Sequence, residues 1–208
     1  LLRGGNPILH IEYQDINESN LKKLFNDNII LGIDTNGSKI IPPGKARSEK
    51  MEPSSLIFEY IDLYATPDWR RCLSRDYIRD FELDGYTWPS VEHYYQANKY
   101  KDDNDFYKKF TNQNGNYIND MLLVKAMGSQ DGKYKGEIVR DKKVPMDKEF
   151  YGFNQKGYLK KANKAKFSQN EDLLNMLRNT NNAKLIRLKK AAPPELYDEL
   201  MIVRDELK

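Results

Sequence analysis

Trp88-Pro89-Ser90-Val91-Glu92-His93-Tyr94-Tyr95-Gln96-Ala97-Asn98-Lys99 is the most informative run in this chain. Pro89 suits the first turn of a helix, where a missing N–H costs nothing, and the pattern predicts a helix from Pro89 to about Lys101. On such a helix Glu92, Gln96 and Lys99 fall at i, i+4 and i+7, stacking an acid, an amide and an ammonium along one strip. Val91, Tyr94 and Tyr95 lie on a neighbouring face suited to pack inward. An acid in the first helical turn feels the positive end of the dipole and stays ionised. A carboxylate so placed can stabilise a cationic, oxocarbenium-like sugar or hold a water as general base. Trp88 and the tyrosines offer a surface on which a base can stack. The ordinary alternative is a solvated polar face. His93 has no Ser, Cys or Asp partner at a motif spacing, which points to a structural role.

Immediately upstream, Phe81 to Trp88 reads as a strand, an Asp84-Gly85 turn and a second strand. Leu56-Ile57-Phe58-Glu59-Tyr60 is a candidate short strand. The segment up to Ser55 differs in character. Leu21, Leu24 and Phe25 have helical spacing within Glu18–Phe25, and apolar runs at 29–33 and 39–41 flank Asn36-Gly37, a hairpin signal. Pro42-Pro43-Gly44 and the polar run that follows read as a linker. Residues 1–55 are therefore expected to form an N-terminal extension with a hairpin and linker, available to a protein partner, and 56–208 the main domain. Downstream, Met121–Met127 reads as helix and 128–145 as an exposed loop. Tyr158, Leu159, Ala162 and Ala165 share one face of a further helix, with Lys160, Lys161 and Lys164 opposite. Ser168 and Glu171 have capping-box spacing ahead of Leu173, Leu174 and Leu177. Pro193-Pro194 is expected to start a last helix carrying Leu196, Leu200, Val203 and Leu207. The fold class is mainly α (α+β), helical with a few short antiparallel strands.

Composition narrows the function classes. With 39% hydrophobic and 31% charged residues the chain can bury a core under a charged surface, and its 14 Tyr, 8 Phe and 2 Trp exceed what a disordered chain carries. No stretch approaches the roughly 20 apolar residues that cross a bilayer, and no secretory leader pattern opens the chain, so no membrane association is expected. Cys72 is the sole cysteine; neither an internal disulfide nor a Cys/His zinc cluster is available, so no metal and no cofactor is expected, in a reducing, cytoplasmic setting. Richness in Lys, Asn, Ile and Tyr fits an A/T-rich coding genome, such as that of a virus. A net charge of +3 permits a phosphate-bearing ligand without demanding nucleic acid. Lys156, Lys160, Lys161, Lys164 and Lys166, with Arg187, Lys189 and Lys190, are basic residues able to hold phosphates; a solvated helix face is the plainer account.

The run from Trp88 to Lys99 closely resembles the signature of the NADAR superfamily, which includes bacterial YbiA-type N-glycosidases. Phe58-Glu59-Tyr60, Leu73-Ser74 and Asp84-Gly85 precede it in the family's order. Ala126-Met127-Gly128, then Lys166-Phe167 with Gln169-Asn170, Leu173, Leu177 and Thr180, and finally Leu200-Met201 with Arg204 follow it. The resemblance spans about residues 56–208. It implies a pocket for an NAD-, ADP-ribose- or nucleotide-type ligand and hydrolysis of an N-glycosidic bond. By resemblance Glu92 matches the catalytic glutamate, Trp88, Gln96 and Lys99 lie on the signature beside the pocket, and Tyr151 aligns with the family's pocket tryptophan.

Departures accompany the match. Arg75 replaces the family's asparagine after Leu73-Ser74, and Ser129 replaces an arginine. Leu185-Ile186 is followed by Arg187 where the family has an acidic residue, and its D-x-x-W-G loop is absent between there and Pro193. Glycoside cleavage generally needs two carboxyl groups in different environments. Asp147, Glu149, Glu195 and Asp198 stand open as substitutes for the second. Two readings follow: an N-glycosidase centred on Glu92, or a catalytically degenerate module that recognises a nucleotide or a modified RNA end within a larger assembly.

Overall fold

The computed structural model describes residues 29–33, 50, 60–187 and 193–208. The expected helix at 18–25, the strand at 56–60 and the second arm of the hairpin at 39–41 lie outside those residues, apart from Tyr60, which leads into a helix. In chain order the elements are β1 (Ile30–Ile33), α1 (Ile61–Ala65), α2 (Trp69–Cys72), β2 (Phe81–Leu83), β3 (Tyr86–Trp88), α3 (Val91–Ala97), α4 (Asn104–Lys108) and α5 (Met121–Met127). There follow β4 (Lys133–Tyr134), β5 (Glu137–Ile138), α6 (Gln155–Ser168), α7 (Glu171–Arg178), β6 (Lys184–Arg187), β7 (Glu195–Leu196) and α8 (Asp198–Glu206). The mainly helical α+β class is what the sequence predicts.

Short antiparallel pairs form where local turn chemistry allows them. Asp84 (φ 53°) and Gly85 (φ 79°) take the two left-handed positions of a primed hairpin turn, which pairs Phe81 with Trp88. Within the predicted loop 128–145, Gly136 (φ 89°) helps close a small β4–β5 hairpin. β1 behaves differently. It lies parallel to β6, Leu31 opposite Leu185, and β7 returns antiparallel on the other side. Ile29, Leu31, Ile33 and Leu185 are all buried, on the one face of the sheet that meets the core.

Two apolar clusters make up the core. The first joins β1, α1, α2, α7, β6 and α8 through Leu31, Leu63, Trp69, Leu177, Leu185 and Leu200. The second surrounds α3 with Trp88, Phe106, Phe110, Val124, Phe150 and Ala162. α6 belongs to both: Leu159 and Ala162 face α3, while Phe167 lies in the first cluster.

Five local expectations are corrected. Pro89 is not in the first helical turn; α3 begins at Val91 because Ser90 is extended and accepts from the His93 amide (3.3 Å), while the Pro89 carbonyl is taken by Arg79 N–H (2.8 Å). The regular helix ends at Ala97 and tightens into a 3-10 turn over Asn98–Tyr100. The Ser168–Glu171 capping box does not form: Ser168 is still inside α6 and bonds Ala165 O, and α7 starts from Asn170. Pro193-Pro194 does not open a helix. Glu195 and Leu196 first pair with β6, Tyr197 N–H bonds Leu185 O (2.9 Å), and α8 begins at Asp198, leaving Leu196 exposed. Lys166 is not on a phosphate-binding face; its ammonium is buried and donates to Ser74 O (3.1 Å) and Tyr77 O (3.2 Å).

Candidate active site

α3 is enclosed on every side: all seven of its residues are buried. The predicted strip therefore forms, but inside the protein, with Glu92 1%, Gln96 5% and Lys99 7% exposed. Three polar side chains that deep are not a solvated face, because each loses its water and must find partners.

Glu92 finds them on both oxygens. Gln96 Nε2 donates to Oε1 (2.6 Å), the helical i, i+4 contact, and Arg75 Nε sits 2.7 Å from Oε2. The Glu92 amide donates to Arg75 O (2.9 Å), so backbone and side chain of one residue grip the acid together. Burial pushes this carboxyl up, yet the Arg75 guanidinium, with Lys125, Gln96 and Arg187 in support, holds it below the ordinary carboxylate range. It is an ionised group in a dry place.

The loop bearing Arg75 is held by the Lys166-Phe167-x-Gln169-Asn170 run. Lys166 clamps Ser74 O and Tyr77 O from below. Asn170 Oδ1 accepts from Arg79 Nε (2.8 Å) and its Nδ2 donates to Asp80 O (3.1 Å), which is why it is not free to cap α7. Gln169 exchanges two hydrogen bonds with the Glu82 backbone, fixing the β2 edge.

Lys99 ends the strip. Its ammonium donates to Gly128 O (3.0 Å) and lies over the rings of Tyr95 (5.1 Å), Phe150 (5.9 Å) and Tyr151 (5.8 Å). Burial lowers its pKa to about 8; the nearby Glu92 opposes that shift, and Arg75 and Arg140 add to it. Arg75 rests on the same Tyr95 ring at 5.1 Å, so one aromatic ring carries both cations. Gly128 approaches so closely that a Cβ there would lie 1.8 Å from Gln96 Oε1. Tyr151 is 54% exposed at the margin of this group.

Trp88 is wholly buried beneath the strip, edge-on to Tyr94 (5.0 Å) and Tyr107 (5.3 Å), with its indole N–H donating to Leu83 O (2.9 Å). His93 is structural. Its Nε2 meets the Ile118 carbonyl (2.8 Å), so it carries the proton, and Nδ1 accepts from Ser90 Oγ (2.8 Å); burial favours this neutral form. Arg75 is the site residue that sequence reasoning missed. It stood out only as a lost asparagine, when its position beside the signature also introduced a cation able to meet Glu92. No group of three or more His, Cys, Asp or Glu able to hold a metal occurs among the described residues. No helix among them is long and apolar enough to cross a membrane.

Comparisons with known proteins agree on one relationship. The model of the NADAR domain matches residues 64–191. The N-glycosidase YbiA of Shigella flexneri serotype 5b (strain 8401) is 29% identical over 126 residues, covering 61% of this chain and 68% of that protein. The N-glycosidase YbiA of Escherichia coli K12 matches to the same extent. The solution structure of E. coli YbiA superposes with a TM-score of 0.52 at 19% identity, covering 87% of this chain and 83% of the other, a likeness of fold.

Proposed function

Because the chain belongs to the NADAR family, we propose that it hydrolyses the N-glycosidic bond of an ADP-ribose- or nucleotide-type ligand, with Glu92 as the catalytic carboxylate. The observation that carries this reading is a fully buried acid kept ionised by Arg75 and oriented by Gln96. As the bond from C1 of the ribose to the base nitrogen breaks, positive charge develops on the sugar. A fixed negative charge in a water-poor site stabilises that charge far better than solvent does. The same carboxylate can then take a proton from the water that adds to C1. Lys99 and Arg75 supply positive charge for a ligand phosphate or carboxylate, and Tyr151 is exposed enough to stack on a base. Trp88 contributes from below, by packing against Tyr94 and fixing the strip.

The names of the YbiA relatives support the reaction class. One observation favours the alternative of a binding module that retains the site without the reaction: the Arg75 guanidinium neutralises Glu92 directly.

A turnover assay by mass spectrometry separates the two, using NAD, ADP-ribose, ADP-ribosylated guanosine and 5′-modified RNA, each paired with a binding titration. Base release that falls about 10²–10⁴-fold in Glu92→Gln is the expected result. Tight binding with no release would make the protein a reader of its ligand. Release unaffected by Glu92→Gln would remove that residue from the chemistry.

A further inference from the structure

Asp147 pairs with Lys101 (2.8 Å), Asp198 with Lys156 (3.8 Å), and Glu149 and Glu195 are exposed, so none of the acids open as a second carboxyl meets Glu92. The charge at contact distance from Glu92 is the Arg75 guanidinium, whose Nε lies 2.7 Å from Oε2. That contact is incomplete. Both atoms are buried, yet neither has a hydrogen-bond partner, so the N–H is not aimed at the oxygen it neutralises. The other oxygen, Oε1, is satisfied by Gln96. Arg75 is only partly used as well. A guanidinium carries five N–H donors in a planar fork, and the two terminal nitrogens of Arg75 make no hydrogen bond among the described residues. Of its side chain 14% stays open to solvent, against 1% for Glu92. Its backbone is fixed, since Arg75 O accepts from the Glu92 amide (2.9 Å) and Lys166 holds Ser74 O and Tyr77 O. A change of partner therefore needs only a swing of the side chain.

We propose that Arg75 is a positioning residue with two partners in turn: it holds Glu92 in the empty site and moves its fork to a phosphate of the bound ligand, which frees the carboxylate for the sugar. This deepens the N-glycosidase reading and rests on it. Glu92 stabilises a sugar cation through its own negative charge, and a cation fixed against it cancels most of that field. Catalysis needs an interaction that is stronger in the transition state than before it. Moving Arg75 away on binding creates that difference, because the charge of Glu92 is answered only as the C1–N bond weakens. The guanidinium stays paired throughout the exchange. Two parallel N–H···O bonds to a phosphate replace one unaimed contact with a carboxylate, and the planar fork matches phosphate oxygens. Gln96 continues to hold Oε1. Lys99 is less suited to this exchange, because Gly128 O already accepts from its ammonium and it is 7% exposed. A ligand without a phosphate leaves Arg75 on Glu92 and is cleaved slowly.

The test uses the intact chain. Inorganic phosphate is titrated while NMR follows the Arg75 Nε–H and the Glu92 side-chain carboxyl carbon; both resonances are expected to move together and to saturate. A shift at Arg75 with Glu92 unmoved overturns the exchange, as does no shift at either. Turnover of ADP-ribosylated guanosine is then compared with that of the same ribosylated base freed of its phosphates. The phosphate-free ligand is expected to be cleaved about 10–100-fold more slowly, the span that hydrogen bonds to a charged group command, with part of the rate restored by added inorganic phosphate. Equal rates overturn the proposal. Arg75→Lys keeps the charge and loses the fork, and is expected to cleave both ligands alike; a surviving preference for the phosphate-bearing one assigns the effect elsewhere. Glu92→Gln removes the competitor and is expected to tighten phosphate binding, a gain that disappears when Arg75→Lys is added and that overturns the exchange if it persists. The titration and the turnover comparison need no substitution, so they decide even where a variant fails to fold. If neither ligand is cleaved the glycosidase reading fails, while the titration still decides whether Arg75 changes partner.

Discussion

At the level of single residues, the two cations over Tyr95 have different tasks. Arg75 is an obligatory partner: removing it would leave Glu92 as a buried unpaired charge, a situation that costs about 3–5 kcal/mol. Lys99 is held under strain of another kind, since its proton is easier to lose in the folded protein (about 8) than in the unfolded chain (ordinarily 10.5). Between those values the unfolded chain binds more protons, so stability rises with pH. The penalty for burying the ammonium is fully present below about pH 8 and is gone above the unfolded value. Urea unfolding at pH 7.5 and 9.5 is expected to show the protein gaining stability, and Lys99→Met to lose that gain. An equal pH response in both proteins would mean that Lys99 titrates normally. None of this was visible in the strip as spaced letters. The spacing of Glu92, Gln96 and Lys99 is legible because it is local, whereas their burial depends on Phe150 and Gly128, which arrive from far along the chain.

Among the elements, α6 has the most consequence for the site, because Lys166 fastens the loop that presents Arg75. Lys166→Met keeps the length and removes the donor, leaving Ser74 O and Tyr77 O without that partner. It is expected to cost about 1–3 kcal/mol and to speed hydrogen exchange at the amides of 75–77. Unchanged exchange there would show that Arg79 and Asn170 hold the loop unaided. Patterns read along one segment translate well when the segment decides its own conformation: Asp84-Gly85 makes its turn, and Met121–Met127 its helix, opened by Asp120 bonding the Leu122 and Leu123 amides. They fail when a distant group competes. Asn170 is occupied by the Arg79 loop, and residues 195–196 are claimed by the β6 edge before a helix can begin.

For the whole molecule, the parallel β1–β6 pair ties a stretch near the start of the chain to one near its end. The apolar run at 29–33 announces a strand, but the one local signal, Asn36-Gly37, points to 39–41 and none points to β6, since a parallel pairing has no turn of its own. Leu31 is wholly buried there, in the cluster that also seats Tyr197 and Leu200. Leu31→Ala is expected to destabilise the protein by about 2–5 kcal/mol in denaturant titrations. A loss below about 1 kcal/mol would mean that β1 adds little to the core.

The same pairing has a meaning in time. During synthesis β6 is made about 150 residues after β1. At about 5–20 residues per second, roughly 8–30 s pass in which β1 lacks its parallel neighbour, with only Ile30 bridged, to Lys50, among the described residues. For that interval a newborn chain depends on chaperones or on non-native contacts to keep the rest of residues 29–33 from joining a neighbour, and the arrival of β6 ends the exposure.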